Sequence, residues 1–107
     1  MYEESAVISL IPQTETKDRD GIPRKTEGSP RTVYCKVRSA SASEVFEGGR
    51  NGLKPAYMFR VYRSEYHGET TVEYDGQRYA VYRTFVPDKD RIELHTESKA
   101  GAERSRT

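Results

Sequence analysis

The sequence of 107 residues has no tryptophan, one cysteine and two histidines, and only 34% of its residues are hydrophobic. Globular domains are usually roughly 45–50% apolar, a figure that includes glycine, so a large core is excluded and one small domain is expected. The single cysteine, Cys35, excludes an internal disulfide framework. No apolar run is long enough to span a bilayer, and the segment MYEESAVISLIPQ lacks the basic flank and long apolar stretch of a signal peptide. We therefore expect a protein that is cytosolic where it is made and has no membrane partner.

An excess of charge of one sign is also lacking. Eighteen Lys and Arg residues and seventeen Asp and Glu residues leave a formal net charge of +1. Proteins that bind nucleic acid through its phosphates usually carry a clear positive excess, so the overall charge does not indicate such a protein.

Residue patterns that carry chemistry are sparse. Neither His67 nor His95 has metal-ligand spacing with Cys35 or with the other histidine. We expect His67 in a solvated loop, His95 on an exposed strand face, and Cys35 as a small core residue. Phosphate-binding glycine motifs are missing, and the paired carboxylates lie on polar termini or turns, at Glu3/Glu4, Asp18/Asp20 and Asp88/Asp90. The sequence therefore predicts no enzyme, no metal site and no cofactor.

What the sequence does contain is a series of short β-type runs. The first, Ala6 to Ile11, is nearly all apolar, so its inward face stays open between Ile8/Leu10 and Val7/Ile11. Three further runs alternate between apolar and polar residues, so each places one face inward. In Thr32 to Ser39 the inward residues are Val33, Cys35 and Val37. In AYMFRVYR they are Tyr57, Phe59 and Val61, and in RIELHTE they are Ile92 and Leu94.

The remaining two strands form a hairpin around Asp75-Gly76, a dipeptide that suits the positive φ angles of a type I′ turn. This turn pairs Tyr74 with Gln77 and Val72 with Tyr79, and it opposes Glu73 and Arg78 as an exposed charge pair. One face then gathers Val72, Tyr74, Tyr79, Val81 and Phe85. We interpret these aromatic residues mainly as core rather than as a platform for stacking nucleic-acid bases.

The long first connection and a short helix complete the chain. Pro12 to Arg31 contains three prolines, two glycines and nine charges, so we expect about twenty structureless residues that are either disordered or functional. Ser41 and Glu44 fit a capping box, with Gly48 at the C′ position, which predicts a helix of one to two turns. So short a helix is not stable alone, so Val45 and Phe46 must pack on this chain or on a neighbour.

The order of these elements predicts an all-β fold. We expect a small antiparallel β-barrel of about six strands, with one short helical insert and a long first loop. A single domain spans residues 1–97, and residues 98–107 form a polar, disordered tail.

Six short motifs follow one another between Ser41 and Leu94. They are SASEVFEGG, GLKPAYMF, EYHGE, YDGQRY, YRTF and IEL. Their order and spacing resemble the head-closure proteins, also called head–tail adaptor or joining proteins, of tailed bacteriophages and prophages. The resemblance covers more than half of the chain, and the strand AVISLI followed by a polar loop also fits it.

This resemblance implies a small β-barrel that forms a homo-oligomeric ring in the virion neck. Such proteins dock onto the adaptor and portal complex after packaging, retain the DNA, and offer a platform to the tail or a tail-completion protein. DNA passes nearby without sequence-specific binding, and the protein is expected in the cytoplasm of the bacterial host during assembly and then in the head–tail connector. We assign subunit and adaptor contacts to Glu44, Val45, Phe46, Leu53, Met58 and Tyr82. Mixed charges of the first loop are assigned to reaching a neighbour or the channel, at Asp18, Arg19, Asp20, Arg24 and Lys25.

An alternative from another class is a small β-barrel binding module for nucleic acid or peptide. Such a module needs aromatic residues interleaved with a basic stripe on an exposed face. Several arginines do lie near aromatic residues, at Arg60, Arg63, Arg78 and Arg83. Glutamates interrupt this stripe, at Glu65, Glu69, Glu73 and Glu93.

Overall fold

A computed structural model describes residues 4–98, which form a closed antiparallel β-barrel of six strands with one α-helix on its outside and a separate two-stranded hairpin. The elements are β1 Glu4–Ile11, β2 Gln13–Lys17, β3 Pro23–Glu27, β4 Arg31–Ser39, α1 Ala42–Arg50, β5 Pro55–Tyr62, a 3₁₀ turn Arg63–Glu65, β6 Thr71–Tyr74, β7 Gln77–Phe85 and β8 Arg91–Ser98. Around the barrel the strands follow the order β1-β4-β5-β8-β7-β6, and β6 returns to β1. The predicted fold class is confirmed.

The barrel interior is built from alternate residues of each strand. Val33, Cys35 and Val37 are buried as predicted. In β1 the inward residues are Ile8 and Leu10, which settles the face that the sequence left open. Burial also raises the pKa of the Cys35 thiol to about 11, because the thiolate is disfavoured away from water. Cys35 therefore behaves as a core residue.

One end of the interior holds a cluster of aromatic rings. Tyr57 makes edge-to-face contacts with Tyr74 and Tyr79 at centroid distances of 5.1 and 5.4 Å, and Phe59 meets Tyr74 at 5.2 Å. Edge-to-face pairs of this kind stabilise a core beyond their buried area. The interpretation of the hairpin aromatics as mainly core is confirmed for Tyr74 and Tyr79, which are half-buried around the fully buried Phe59.

The β6–β7 hairpin has the predicted turn and register. Asp75 and Gly76 have φ angles of 55° and 79°, and Glu73 lies opposite Arg78. Phe85, however, is exposed rather than buried. The register between β7 and β8 shifts between Val81 and Arg83, which inserts one extra residue and turns the rest of β7 to its other face.

The prediction of a structureless connection from Pro12 to Arg31 is wrong for most of its length. Strands β2 and β3 pair in register from Gln13–Glu27 to Lys17–Pro23. All ten strand residues are exposed, so the expectation that this segment adds nothing to the core is confirmed. The turn is organised by Asp18, whose carboxylate accepts the backbone amides of Asp20 and Ile22 at 2.9 and 3.0 Å.

Glu73 and Arg78 face each other as predicted, and Arg78 makes its ion pair with a second acidic residue. Arg78 donates to the Glu27 carboxylate, which ties the β2–β3 hairpin to the barrel wall. At the base of the same hairpin, the Gly28 amide donates to the Pro12 carbonyl at 2.8 Å.

At the other end of the chain, Ser98 is the last residue of β8, and the rest of the predicted tail, 99–107, lies outside the described residues.

Helix α1 begins with the predicted capping box. The Glu44 amide donates to the Ser41 hydroxyl, and the Ser41 amide donates to the Glu44 carboxylate. The predicted end at Gly48 is wrong, because the positive φ of 80° occurs at Gly52. There the Leu53 amide donates to the Gly48 carbonyl at 2.8 Å and Gly52 to Gly49 at 3.1 Å, a Schellman motif that ends the helix one turn later.

Candidate functional site

The outer face of β5 and β8 carries a second buried layer beneath α1. Met58, which we predicted to face a neighbouring subunit, is fully buried, so that prediction is wrong. It lies opposite Arg38 and His95 on the outward side of the sheet, and α1 packs over this part of β5. His95 is buried as well rather than exposed, with its Nε2 atom 3.3 Å from the Glu93 carboxylate.

Helix α1 is held to the barrel by an ion pair and by a close backbone approach. The Arg38 guanidinium donates to both Glu44 carboxylate oxygens, at 2.7 and 2.9 Å. These hydrogen bonds from Arg38 lower the pKa of Glu44 from its ordinary 4.5 to about 2. One turn further on, Gly48 is buried against Pro55 of β5.

The Glu44 carboxylate makes stability depend on pH. The pKa of Glu44 is lower in the folded than in the unfolded state, so the carboxylate adds to the free energy of unfolding. This stabilisation is fully present above the ordinary pKa of 4.5 and is lost as the pH falls toward 2. We expect Glu44→Gln, which keeps a capping-box acceptor, to lower the free energy of unfolding by roughly 2 kcal/mol at pH 7 and to remove this acid dependence. Urea unfolding at several pH values measures both effects.

A matched control lies on the same helix. Glu47 pairs with Arg50 at 3.6 Å, and both side chains are about two-thirds exposed at 65% and 66%. Exposed pairs of this kind contribute little, so Glu47→Gln should leave the unfolding curve close to that of the wild type. Equal effects of the two substitutions would contradict the role assigned to Glu44.

The solvent side of α1 presents apolar groups to water. Val45 and Phe46 are 47% and 66% exposed, so the helix does not bury them against its own barrel. We call these two residues the helix patch. Its neighbour is a shallow groove of about 340 Å³ between α1, β7 and β8. The groove is lined by Glu44, Glu47, Gly48, Asn51, Leu53, Tyr82, Arg83 and His95.

The structure therefore separates the six predicted contact residues into three groups. Glu44, Leu53 and Tyr82 come together in the groove beside α1. Val45 and Phe46 form the exposed patch next to it, and Met58 is inaccessible. Tyr82 is half-buried, its ring meets His95 edge-on at 6.3 Å, and burial raises the pKa of its phenol.

The five charged residues predicted in the first loop lie around the turn of the β2–β3 hairpin. Asp18 accepts a hydrogen bond from Arg24 Nε at 3.1 Å, and the pKa of its carboxyl is lowered, chiefly by the Ile22 amide. Arg19, Asp20 and Lys25 are exposed. The hairpin thus presents mixed charges to solvent on a defined β-turn rather than on a structureless tether.

The sequence analysis did not identify one further surface. It lies at the end of β5, whereas α1 contacts the start of that strand. Tyr34 of β4 is 80% exposed, and Tyr62 of β5 is half-exposed beneath the Arg91 guanidinium. The alternation in TVYCKVRS placed Tyr34 outward, but an outward tyrosine on a single strand does not reveal what lies beside it on the next strand.

Within residues 4–98, no group of three or more His, Cys, Asp or Glu side chains is placed to hold a metal ion. No helix in the same described range is long and apolar enough to cross a membrane. Comparison with known proteins finds no family model and no curated protein that matches the chain.

Proposed function

We propose that this protein is a structural subunit of a tailed-phage or prophage virion, forming a ring in the head-to-tail connector that retains packaged DNA and receives the tail. The observation that carries the proposal is the helix patch. Val45 and Phe46 are exposed on a helix that is firmly attached to its barrel through Glu44 and Gly48. A rigid apolar surface rimmed by charged residues is typical of a protein–protein contact.

Ring assembly needs two different surfaces on each subunit, because one face of each subunit contacts a different face of the next subunit around the closed ring. We assign the helix patch and the groove beside it to one side of this contact or to the adaptor ring. The exposed β2–β3 hairpin, with Asp18 to Lys25 at its end, is assigned to a neighbouring subunit or to the channel. Near-zero net charge suits a conduit through which DNA must pass.

The proposal is tested in a phage that carries this chain. Deleting the gene should leave head formation and filling intact, while filled heads lose their DNA and fail to acquire tails. Electron microscopy of lysates counts filled, empty and tailed heads. Heads that stay filled and join tails normally would exclude the connector role.

A substitution tests the helix patch without removing the protein. Phe46→Ser should reduce tail joining strongly, because hot-spot contacts are commonly made by buried aromatic side chains. Val86→Ser is the control, since Val86 is also an exposed apolar residue, at 45%, but belongs to the connection between β7 and β8 rather than to α1. Equal tail joining by the two variants would remove the helix patch from the contact.

A further inference from the structure

A groove of about 250 Å³ lies in the wall of the barrel between β4 and β5. Paired residues in these two strands run from Ser39–Tyr57 to Lys36–Arg60. Both strands continue past that point, to Tyr34 and beyond in β4 and to Tyr62 in β5. The groove lies where the strands continue without this pairing, and the core residues Cys35 and Val61 line it together with outward residues of both strands.

Two tyrosines stand on opposite sides of this groove. Tyr34 is 80% exposed and Tyr62 is 51% exposed. Both residues line the cavity, one on β4 and the other on β5, so an entering ligand meets a tyrosine on each side. A tyrosine as exposed as Tyr34 contributes almost nothing to the core, which makes its ring available for a ligand.

The charged side chains of the groove are all basic. Lys36, Arg60 and Arg91 line it, and no carboxylate among the described residues does so. Arg91 lies over the Tyr62 ring with its guanidinium carbon 5.4 Å from the centroid, which places a cation beside the aromatic face. Arg60 is held in place by Glu93 at 2.6 Å, and Lys36 by the Ser5 hydroxyl at 2.8 Å.

We infer that this groove binds single-stranded nucleic acid, with bases stacking on Tyr34 and Tyr62 and phosphates contacting Lys36 and Arg91. Planar rings flanked by cations match a ligand that alternates planar apolar groups with anions. An acidic peptide would meet the cations but would leave the ring faces without planar partners. Bases within a duplex are already stacked on one another, so their faces are not free for the tyrosines.

The inferred site differs from a general basic surface. The whole chain is almost neutral, whereas the charged residues that line this groove are all basic. Recognition by stacking is tolerant of sequence, because every base has an aromatic face. The groove lies toward the end of β5 and the helix patch near its start, so each surface can be disabled without altering the other.

The test compares oligonucleotides of about twelve nucleotides that carry equal charge but differ in their bases. Fluorescence anisotropy with the full chain measures binding of labelled oligo-dT, oligo-rU and an abasic DNA of the same length. We expect both base-containing strands to bind more tightly than the abasic strand, and the ratio of dT to rU shows whether DNA or RNA is preferred. Equal affinity for the abasic strand, for polyglutamate, or for a duplex would overturn the inference.

Variants separate stacking from charge. Tyr34→Ala and Tyr62→Ala should each weaken oligo-dT binding by about 5-fold or more while leaving abasic DNA unaffected, and the corresponding Tyr→Phe variants should retain binding. Lys36→Gln should weaken both strands and reduce the slope of log affinity against log salt by roughly 0.7. Lys54→Gln, exposed just before the start of β5 and outside the groove lining, is the control for charge. Unchanged dT binding in both alanine variants, with unchanged circular dichroism, would exclude the groove.

Discussion

Replacing Gly48 with alanine is expected to destabilise the protein, although alanine is the better helix former. A Cβ atom at this position would lie 2.4 Å from Cγ and 2.9 Å from Cδ of Pro55. The proline ring is part of the backbone of β5 and cannot rotate away, so α1 must shift off the barrel. We expect a net loss of about 1–3 kcal/mol, or roughly 5–20 °C in melting temperature, with a larger loss for Gly48→Val.

The adjacent residue provides the control. Gly49 is in the same helix, and a Cβ atom there would meet nothing within 4 Å. Gly49→Ala should therefore raise the free energy of unfolding by about 0.5–1 kcal/mol, which is the ordinary helix preference of alanine over glycine. Thermal unfolding of the two variants should move in opposite directions. A stabilising effect of both substitutions would mean that α1 does not approach β5 this closely.

The second large effect is expected at Arg31, which holds the loop between β5 and β6 against the start of β4. Its guanidinium donates to the Glu65 carbonyl and to the Glu69 carboxylate, both at 2.6 Å. The Glu69 side chain is only 3% exposed, and its other carboxylate oxygen accepts the His67 amide at 2.8 Å. Arg31→Met would leave this buried carboxylate without its cation.

We expect Arg31→Met to lower the free energy of unfolding by about 2–3 kcal/mol at pH 7, below the upper range for buried pairs because the Arg31 side chain is 36% exposed. Burial of Glu69 favours its neutral form, yet the hydrogen bonds from Arg31 and the His67 amide outweigh this and lower its pKa in the wild type. Glu69 therefore stabilises the wild type above its ordinary pKa, and this stabilisation is lost as the pH falls.

In Arg31→Met the hydrogen bond and the charge of Arg31 are lost, so the pKa of Glu69 should be higher than in the wild type. The gap between the variant and the wild type should then shrink as the pH falls and Glu69 takes up a proton. Adding Glu69→Gln to Arg31→Met should recover part of the stability at pH 7. Arg24→Met, which breaks the exposed pair with Asp18, should change the melting temperature little. A pH-independent loss in Arg31→Met would exclude the ion pair as its cause.

The parts of the fold that the sequence predicts are those set by local pattern. Alternation placed Val33, Cys35 and Val37 inward, and the Asp75-Gly76 turn fixed the register of its hairpin. Alternation identifies a strand face but not what covers it, so Met58 on the outward face was predicted to be exposed, whereas it is fully buried on the strand that α1 contacts.

Other errors arise where one residue changes the pattern or two choices are locally equivalent. The extra residue between Val81 and Arg83 turns Phe85 outward, and no sequence signal marks it. Gly48 and Gly52 both suit a helix end, and only the approach of Pro55 explains why Gly48 is needed inside the helix. Val45 and Phe46 of the helix patch could be predicted as contact residues because so short a helix cannot bury them alone. The Tyr34–Tyr62 groove could not be predicted, because its two tyrosines come from strands that are far apart in the sequence.

The closure of the barrel has a consequence for the order of folding during synthesis. Strand β1 is paired on one side with β4 and on the other with β6, where Ser9 lies opposite Glu73. More than half of the chain separates these two residues, and contacts this distant form slowly because a long loop must first be closed. One edge of the apolar strand AVISLI therefore remains unpaired until Tyr74 has left the ribosome. During this interval the nascent chain is most susceptible to aggregation through pairing of exposed strands.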